Sequence, residues 1–197
     1  MSDSLIIIPT YNEKENIGKM LDVLIALSFS FDVLIIDDNS KDGTAGIVKD
    51  YIKQFPDRIY IEERSGKLGL GTAYIHGFKW ALKREYQYIF EMDADFSHNP
   101  NDLIRLRDAC SNGNADLSIG SRYITGVNVV NWPMGRVMMS YFASMYVRIV
   151  TGMTIRDTTA GFKCYSRKVL EALNFDKIKF TGYAFQIEMK FAAWKLG

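Results

Sequence analysis

Two runs, Leu5-Ile-Ile-Ile8 and Val33-Leu-Ile-Ile36, are apolar at every position, so neither face of a strand built from them can meet water. Each run breaks off at polar turn residues, the first at Pro9-Thr-Tyr-Asn-Glu13 and the second at Asp37-Asp-Asn-Ser-Lys-Asp-Gly43. Pro9 is expected to stop the first strand. Between the runs, Asn12 and Glu15 have the spacing of a capping box, and Ile17, Met20, Leu21 and Leu24 follow at helical intervals. The alternation then repeats. A helix from about Thr44 to Gln54 leads to a strand at Ile59-Tyr-Ile61, and a helix reaching about Arg84 leads to a strand running into Asp93. A fifth strand, Leu117 to Ser121, runs into Arg122. Strands alternating with helices predict an α/β chain of right-handed βαβ units, with a mostly parallel central sheet and helices on both faces. A further strand at Lys163 to Tyr165 is expected, with Ser166 placed to cap a short helix.

With 197 residues and 48% hydrophobic content, positions 1–197 read as one globular domain able to bury a full core. The net charge of +1 gives no reason to expect nucleic acid as a partner. Cys110 and Cys164 have no neighbouring His or Cys that would suggest zinc, and read as free buried thiols in a reducing cytoplasm. The first residues lack the basic region of a signal peptide, and the apolar stretch from Val137 to Val147 falls short of the ~20 residues that span a bilayer.

In open α/β sheets, ligands sit beyond the carboxyl ends of the strands. Tyr88-Ile-Phe-Glu-Met-Asp93-Ala-Asp95 therefore attracts attention, because in a strand-like segment two carboxylates at alternate positions aim at the same volume. They repel unless a cation lies between them, and a divalent metal with hard oxygen ligands that also binds a diphosphate fits. The bland reading is a solvated Asp-rich turn. Tyr11, Glu13, Asp37, Asp38 and Arg122 stand at other strand ends and are expected to share the cleft.

Other motifs fall away. Asp38-x-Ser40-x-Asp42-Gly43 is no calcium loop, because Lys49 stands where a bidentate Glu is needed. Gly69-x-Gly71-x-x-Tyr74 has Tyr in place of the third Gly of a dinucleotide fingerprint, and is expected instead to let a loop pass close to neighbouring backbone. His76 reads as structural, and His98 as either lining the site or opening a helix.

The blocks Pro9-Thr-Tyr-Asn-Glu13, Ile36-Asp-Asp-Asn-Ser-Lys-Asp-Gly43, Leu68-Gly-Leu-Gly-Thr-Ala-Tyr74, Met92-Asp-Ala-Asp95 and Gly120-Ser-Arg-Tyr123 occur in this order. Together they resemble the inverting family 2 glycosyltransferases of GT-A (Rossmann-like) fold. The Leu68–Tyr74 loop, Ser97-His98 and Gly182-Tyr-Ala-Phe-Gln-Ile-Glu188 are similar, more narrowly, to the dolichol-phosphate (polyprenol monophosphate) mannose synthase branch of that family. The resemblance runs along essentially the whole chain.

It implies a nucleotide-sugar donor, GDP-mannose, and a polyprenyl monophosphate acceptor. By position, Pro9, Tyr11, Glu13, Ile36 and Asp38 would hold the nucleoside. Asp93, Ala94 and Asp95 would hold the sugar diphosphate with Mg²⁺ or Mn²⁺, and Arg122 and Arg136 would take the acceptor phosphate. Asp95 and Arg122 are the residues on which catalysis would turn.

Two departures accompany the match. The family usually has Arg after Gly-Phe, where this chain has Lys163, a change that matters if the site needs a bidentate fork. Family members also continue beyond Gly197, so the chain is expected to be a catalytic domain truncated at its C-terminus. The runner-up activity is transfer of glucose or an aminosugar to a lipid phosphate, and a more distant one is a non-catalytic nucleotide-binding module. Residues Val127 to Met153, with Arg136 and Arg148 as their only charges, are expected to meet the membrane on its cytoplasmic face and admit the polyprenyl tail. The competing expectation is a helix packed against the sheet and further chain, or in a dimer.

Overall fold

The computed structural model describes residues 2–113, 115–123 and 134–197, without the side chains of Met134 and Arg136. Six strands, β1 (Ser4–Thr10), β2 (Asp32–Asp37), β3 (Ile59–Glu63), β4 (Tyr88–Glu91), β5 (Leu117–Ile119) and β6 (Lys163–Ser166), form one sheet in the order β3-β2-β1-β4-β6-β5. The first four are parallel, and β6 is inserted antiparallel between β4 and β5. The described helices are α1 (Lys14–Ala26), α2 (Thr44–Gln54), α3 (Leu70–Leu82), α4 (Asp102–Ser111), α5 (Met134–Thr151), α6 (Arg167–Ala172) and α7 (Ala184–Trp194).

Side chains on a strand alternate between faces, and the two apolar runs divide accordingly. Ile6, Ile8, Val33, Ile35 and Phe90 pack with Ile17, Met20, Leu21, Val48 and Leu103 from α1, α2 and α4. Leu5, Ile7, Leu34, Ile36 and Ile89 pack on the other side with Tyr74, Phe78, Leu170, Phe185 and Met189 from α3, α6 and α7. Each such side chain, fully buried, contributes about 1.5–3 kcal/mol. The helices therefore cover both faces, as the uninterrupted apolar runs require.

Three local expectations are corrected. Pro9 does not end β1, which runs on to Thr10 with Pro9 opposite Ile36. β4 is paired only as far as Ile7, so at Pro9 the strand has a ladder partner on one side and a residue without an N–H is tolerated. Asn12 does not cap α1. Its backbone is left-handed at φ 60, its N–H donates to Ser40 Oγ (2.9 Å) and its Oδ1 accepts from the Lys41 N–H (2.9 Å). The N–H groups at the start of α1 are instead satisfied across the gap, Glu13 to Thr44 Oγ1 and Lys14 to Asp42 Oδ2, both at 2.9 Å. Ser166 precedes α6 but makes no capping bond; its hydroxyl donates to Asp116 Oδ1 at 2.9 Å.

The glycine pair does what its spacing predicts. Gly71 N–H donates to the Thr181 carbonyl (2.8 Å), and a Cβ on Gly71 would stand 2.7 Å from the Phe185 ring and 2.8 Å from the Phe180 carbonyl oxygen. Gly69, at φ 101, would meet the Thr181 backbone at 3.1 Å. Residues 180–185 thus lie directly against the first turn of α3. Gly71→Ala should lower stability by about 1–3 kcal/mol through overpacking. Urea denaturation checks this, and an unchanged midpoint would contradict the close approach.

Candidate functional site

The parallel strands deliver their carboxyl ends to one edge of the sheet, where a cleft of about 570 Å³ opens. Pro9, Tyr11, Glu13, Asp38, Asp93, Ala94 and Asp95 all line it. The strand geometry invoked for the carboxylate pair is different, however. β4 stops at Glu91, and Asp93 and Asp95 lie in the loop beyond it, fixed by local hydrogen bonds. The buried Tyr74 hydroxyl donates to Asp93 Oδ1 at 3.2 Å, and Asp95 Oδ1 accepts the Ser97 N–H at 3.0 Å. Burial first, and the Asp93 charge next, push the Tyr74 phenol well above its ordinary value, so it remains a donor. Phe96, next in the turn, is left-handed at φ 59, which costs a non-glycine residue about 1–2 kcal/mol. Strain of this kind collects at functional sites.

His98 follows the turn and stacks on Phe162 with centroids 5.0 Å apart. Its Nδ1 accepts the Asp93 N–H at 3.4 Å, which places the ring proton on Nε2. Burial lowers its pKa; the Asp93 and Asp95 charges oppose that shift, and those of Arg122 and Lys163 add to it. His98 thus shapes the backbone beside the carboxylates. His76 lies on α3 against Glu62 (3.2 Å), away from the cleft.

The second strand end is internally compensated. Asp37 is buried and accepts from Thr10 Oγ1 (2.8 Å), Ser40 Oγ (2.7 Å) and the Ser40 N–H (2.9 Å). Asp38 is held by Arg64, Nε to Oδ1 at 2.5 Å, and by the Leu68 N–H at 3.3 Å. Arg64 in turn donates to Thr72 Oγ1 (2.7 Å) and the Gly69 carbonyl (3.3 Å), so one guanidinium ties Asp38 to the start of α3. Ile36 does not line the cleft; its side chain is sealed in the core.

Arg122 is not among the lining residues. Its Nε and NH2 grip both oxygens of the buried Asp157 (2.9 and 2.5 Å), its own N–H donates to Asp157 Oδ2 (3.0 Å), and NH2 also reaches Thr159 Oγ1 (2.5 Å). Burial alone would raise the Asp157 pKa. The Arg122 hydrogen bonds and charge outweigh it and hold the carboxyl below its ordinary value. Arg136 belongs to α5, but its side chain lies outside the described residues. Lys163 is fully buried, with Nζ at 2.8 Å from Glu91 Oε2 and bonded to Gln186 Oε1. It braces the sheet behind the cleft, so the departure from Arg at this position falls in the interior.

Sequence reasoning missed Lys67, the one cation among the described residues lining the cleft, whose Nζ stands 4.5 Å from the Tyr11 ring centroid. It also missed Arg64 as the partner of Asp38, and Asp157 as the partner of Arg122. Asp157 stood in a conspicuous Asp-Thr-Thr-Ala-Gly block, but a carboxylate in sequence carries no mark of which cation it will meet.

Among the described residues, no three His, Cys, Asp or Glu side chains gather into a metal cage. Two carboxylates on one cleft nonetheless suit Mg²⁺ or Mn²⁺, which are ordinarily held by one or two carboxylates with the remaining positions filled by substrate phosphates and water. The donor set present is of that kind, and Asp93 and Asp95 are the residues that would hold such an ion.

A family model described as Glycosyl transferase family 2 matches residues 5–173. The polyprenol monophosphomannose synthase of Mycolicibacterium smegmatis is 43% identical over 190 residues, covering 96% of this chain and 71% of that protein. The undecaprenyl-phosphate mannosyltransferase of Micrococcus luteus is 44% identical over 193 residues, covering 98% and 78%. Among solved structures, the Pyrobaculum calidifontis mannosyltransferase PcManGT in complex with GDP-Man and Mn²⁺ superposes with a TM-score of 0.59 at 18% identity over 87% of this chain. The chain spans 46% of the length of that structure, so this likeness speaks for the fold.

Removing one partner of the Arg122–Asp157 pair leaves a buried charge uncompensated. Asp157→Ala should therefore cost about 3–5 kcal/mol in urea unfolding. Because the folded Asp157 pKa is depressed, its contribution is present above the ordinary value of 3.8 and is lost as pH falls through the lower folded value. Asp157→Asn should remove that part of the acid loss of stability, which a pH series of urea midpoints will read.

Proposed function

The chain belongs to glycosyl transferase family 2, and we propose that its reaction moves a mannosyl group from GDP-mannose to a polyprenyl monophosphate. The observation that carries this reading is the convergence of Asp93 and Asp95 with Pro9, Tyr11, Glu13 and Asp38 on one strand-end cleft. It occurs in a chain 43% identical, over 96% of its length, to a polyprenol monophosphomannose synthase. The P. calidifontis mannosyltransferase, crystallised with GDP-Man and Mn²⁺, supports the donor and a divalent ion.

The nucleoside lies against Pro9, Tyr11 and Glu13, with Asp38 held in place for it by Arg64. Asp93, Ala94 and Asp95 would hold the sugar diphosphate, and a divalent ion on the two carboxylates would supply positive charge to the departing diphosphate. The acceptor is a phosphate monoester with second pKa ≈ 6, largely dianionic at neutral pH, so its oxygen attacks the anomeric carbon without a protein base. The new C–O bond forms on the face opposite the leaving diphosphate, and the configuration inverts. Arg122 serves the acceptor phosphate, with Asp157 and Thr159 orienting its guanidinium. Catalysis is then positioning and charge compensation.

The apolar surface of α5 fits an acceptor with a hydrocarbon tail. Met139, Tyr146, Ile149 and Val150 are 64–76% exposed, while Val137 and Ser144 face inward. Arg148 and Arg156 flank Met145 and Ile149 in a shallow depression at the end of this helix, a charge pattern suited to anionic headgroups. No helix among the described residues is long and apolar enough to cross a membrane. In this reading α5 meets the bilayer surface on its cytoplasmic face. Residues 127–133 of the segment assigned to the membrane lie outside the described residues.

Three measurements test these assignments. Asp95→Asn should abolish the Mn²⁺-dependent part of GDP-mannose affinity in calorimetry while leaving the melting temperature within a few degrees; equal affinity with and without Mn²⁺ in both proteins sinks the metal assignment. Stronger stabilisation by UDP-glucose or a UDP-aminosugar than by GDP-mannose in thermal shift would move the donor to the runner-up. For α5, Met139→Gln with Ile149→Gln should weaken co-sedimentation with phosphatidylglycerol liposomes with little loss of stability. A lower melting temperature with unchanged sedimentation would make the helix a buried or dimer face.

A further inference from the structure

Behind the cleft, α7 places two polar side chains one turn apart on its buried face, Gln186 and Lys190, and neither belongs to the reaction as described. Lys190 is completely buried, yet among the described residues it forms no ion pair. Its Nζ donates to three backbone carbonyls, Thr158 at 3.0 Å, Ala160 at 2.6 Å and Gln186 at 3.2 Å. Burial, with the neighbouring Lys163 charge, drives its pKa well down, while Glu91 and Asp157 pull the other way. Three backbone carbonyls thus surround one amino group, which ties α7 to the segment carrying Thr158 and Ala160.

Two of those carbonyls belong to the loop 157–161. Asp157 and Thr158 are buried without belonging to any strand or helix. From the same loop, Asp157 and Thr159 orient Arg122, and Thr159 Oγ1 lies 2.9 Å from Ser140 Oγ on α5, which also accepts the Tyr123 hydroxyl at 2.9 Å. Gly161 completes the loop beside the carboxylate pair, where a Cβ would stand 3.5 Å from Asp93 Oδ2. At its other end α7 begins just after Thr181, Gly182 and Tyr183, which line the donor cleft. One helix thus carries both a wall of the donor site and the side chain that pins the loop holding Arg122.

From this geometry we infer that Lys190 is a positioning residue for the acceptor side of the reaction: by holding the Thr158 and Ala160 carbonyls it sets the loop from which Asp157 and Thr159 aim the Arg122 guanidinium. This rests on the reading of Arg122 as the acceptor-phosphate residue. An ordinary stabilising role would be indifferent to which substrate is measured; a positioning role is not. Displacing a binding group by a fraction of an ångström through a remote contact costs about ten- to a hundredfold in kcat/KM.

The test is a double-mutant cycle on the full chain with Lys190→Met and Arg122→Ala, measuring apparent KM for donor and for a short-chain polyprenyl phosphate. Lys190→Met should raise the acceptor KM about tenfold with the donor KM unchanged, and should add little once Arg122 is already Ala. A fall in kcat with both KM values unchanged, or independent effects that multiply in the double variant, overturns the inference. Lys190→Gln, which keeps a donor on a shorter stem, is scored by the same two KM values if Lys190→Met does not fold. A readout free of turnover accompanies it. Amide exchange at 157–161 and at the Arg122 N–H should accelerate at least tenfold in the variant, with β1, β2 and β4 unaffected. Uniform acceleration, or none, also overturns it. Failure of the wild-type chain to transfer mannose would sink the functional reading and leave the exchange comparison standing.

Discussion

Like charge in one place is the constraint on which the rest of this structure depends. Sheet topology carries Glu13, Asp38, Asp93 and Asp95 to a common cleft, and with Asp37 just behind them the strand ends concentrate negative charge in a partly dry volume. Three of them are answered differently. Asp37 accepts from hydroxyl and N–H donors, Asp38 pairs with the buried Arg64 fork, and Asp93 accepts a tyrosine hydroxyl. Among the described residues, Asp93 and Asp95 have no salt bridge to a lysine or arginine, and a carboxylate pair of that kind suits a divalent metal.

The interior behind the cleft follows the same logic with the signs reversed. Lys163 and Lys190 are both fully buried, one answered by Glu91 and the amide of Gln186, the other by carbonyl oxygens only. Burial of two lysines so close together is unfavourable unless nearly every N–H is satisfied. The layer between β6 and α7 is therefore a polar network embedded in an apolar core, and through Lys190 it is bonded to the loop that carries Asp157 and Thr159.

The fold was largely legible because its signals are local. Uninterrupted apolar runs demand covering on both faces, and Gly69 and Gly71 mark a place where another segment must approach within van der Waals distance. The cleft carboxylates were legible as strand-end residues, and the resemblance gave them roles. What local reasoning misplaced depends on neighbours distant in sequence. Asn12 has the spacing of a cap, yet Ser40, Lys41, Asp42 and Thr44 of the adjacent loop take over both its side chain and the helix end it would have capped. Lys163 looked like a weakened site residue until Glu91, on the adjoining strand, accounted for its charge. Arg122 looked like a cleft residue, and only the fold reveals that its guanidinium is held by the buried Asp157 and does not line the cleft.

The insertion of β6 between β4 and β5 has a consequence for biosynthesis. Glu91 meets Lys163 across the ladder, so β4 leaves the ribosome long before the strand that will cover its free side. Over that interval the nascent chain presents Ile89 and Phe90 on an open backbone edge, the kind of template on which foreign strands add. Thr181, Gly182 and Tyr183, which complete the cleft lining, and the loop 157–161 are made after β5, so the cleft is completed late. Slow translation between positions 91 and 163 would lengthen the exposure of that edge, and a holdase acting on this protein would be expected to release it when β6 closes the sheet.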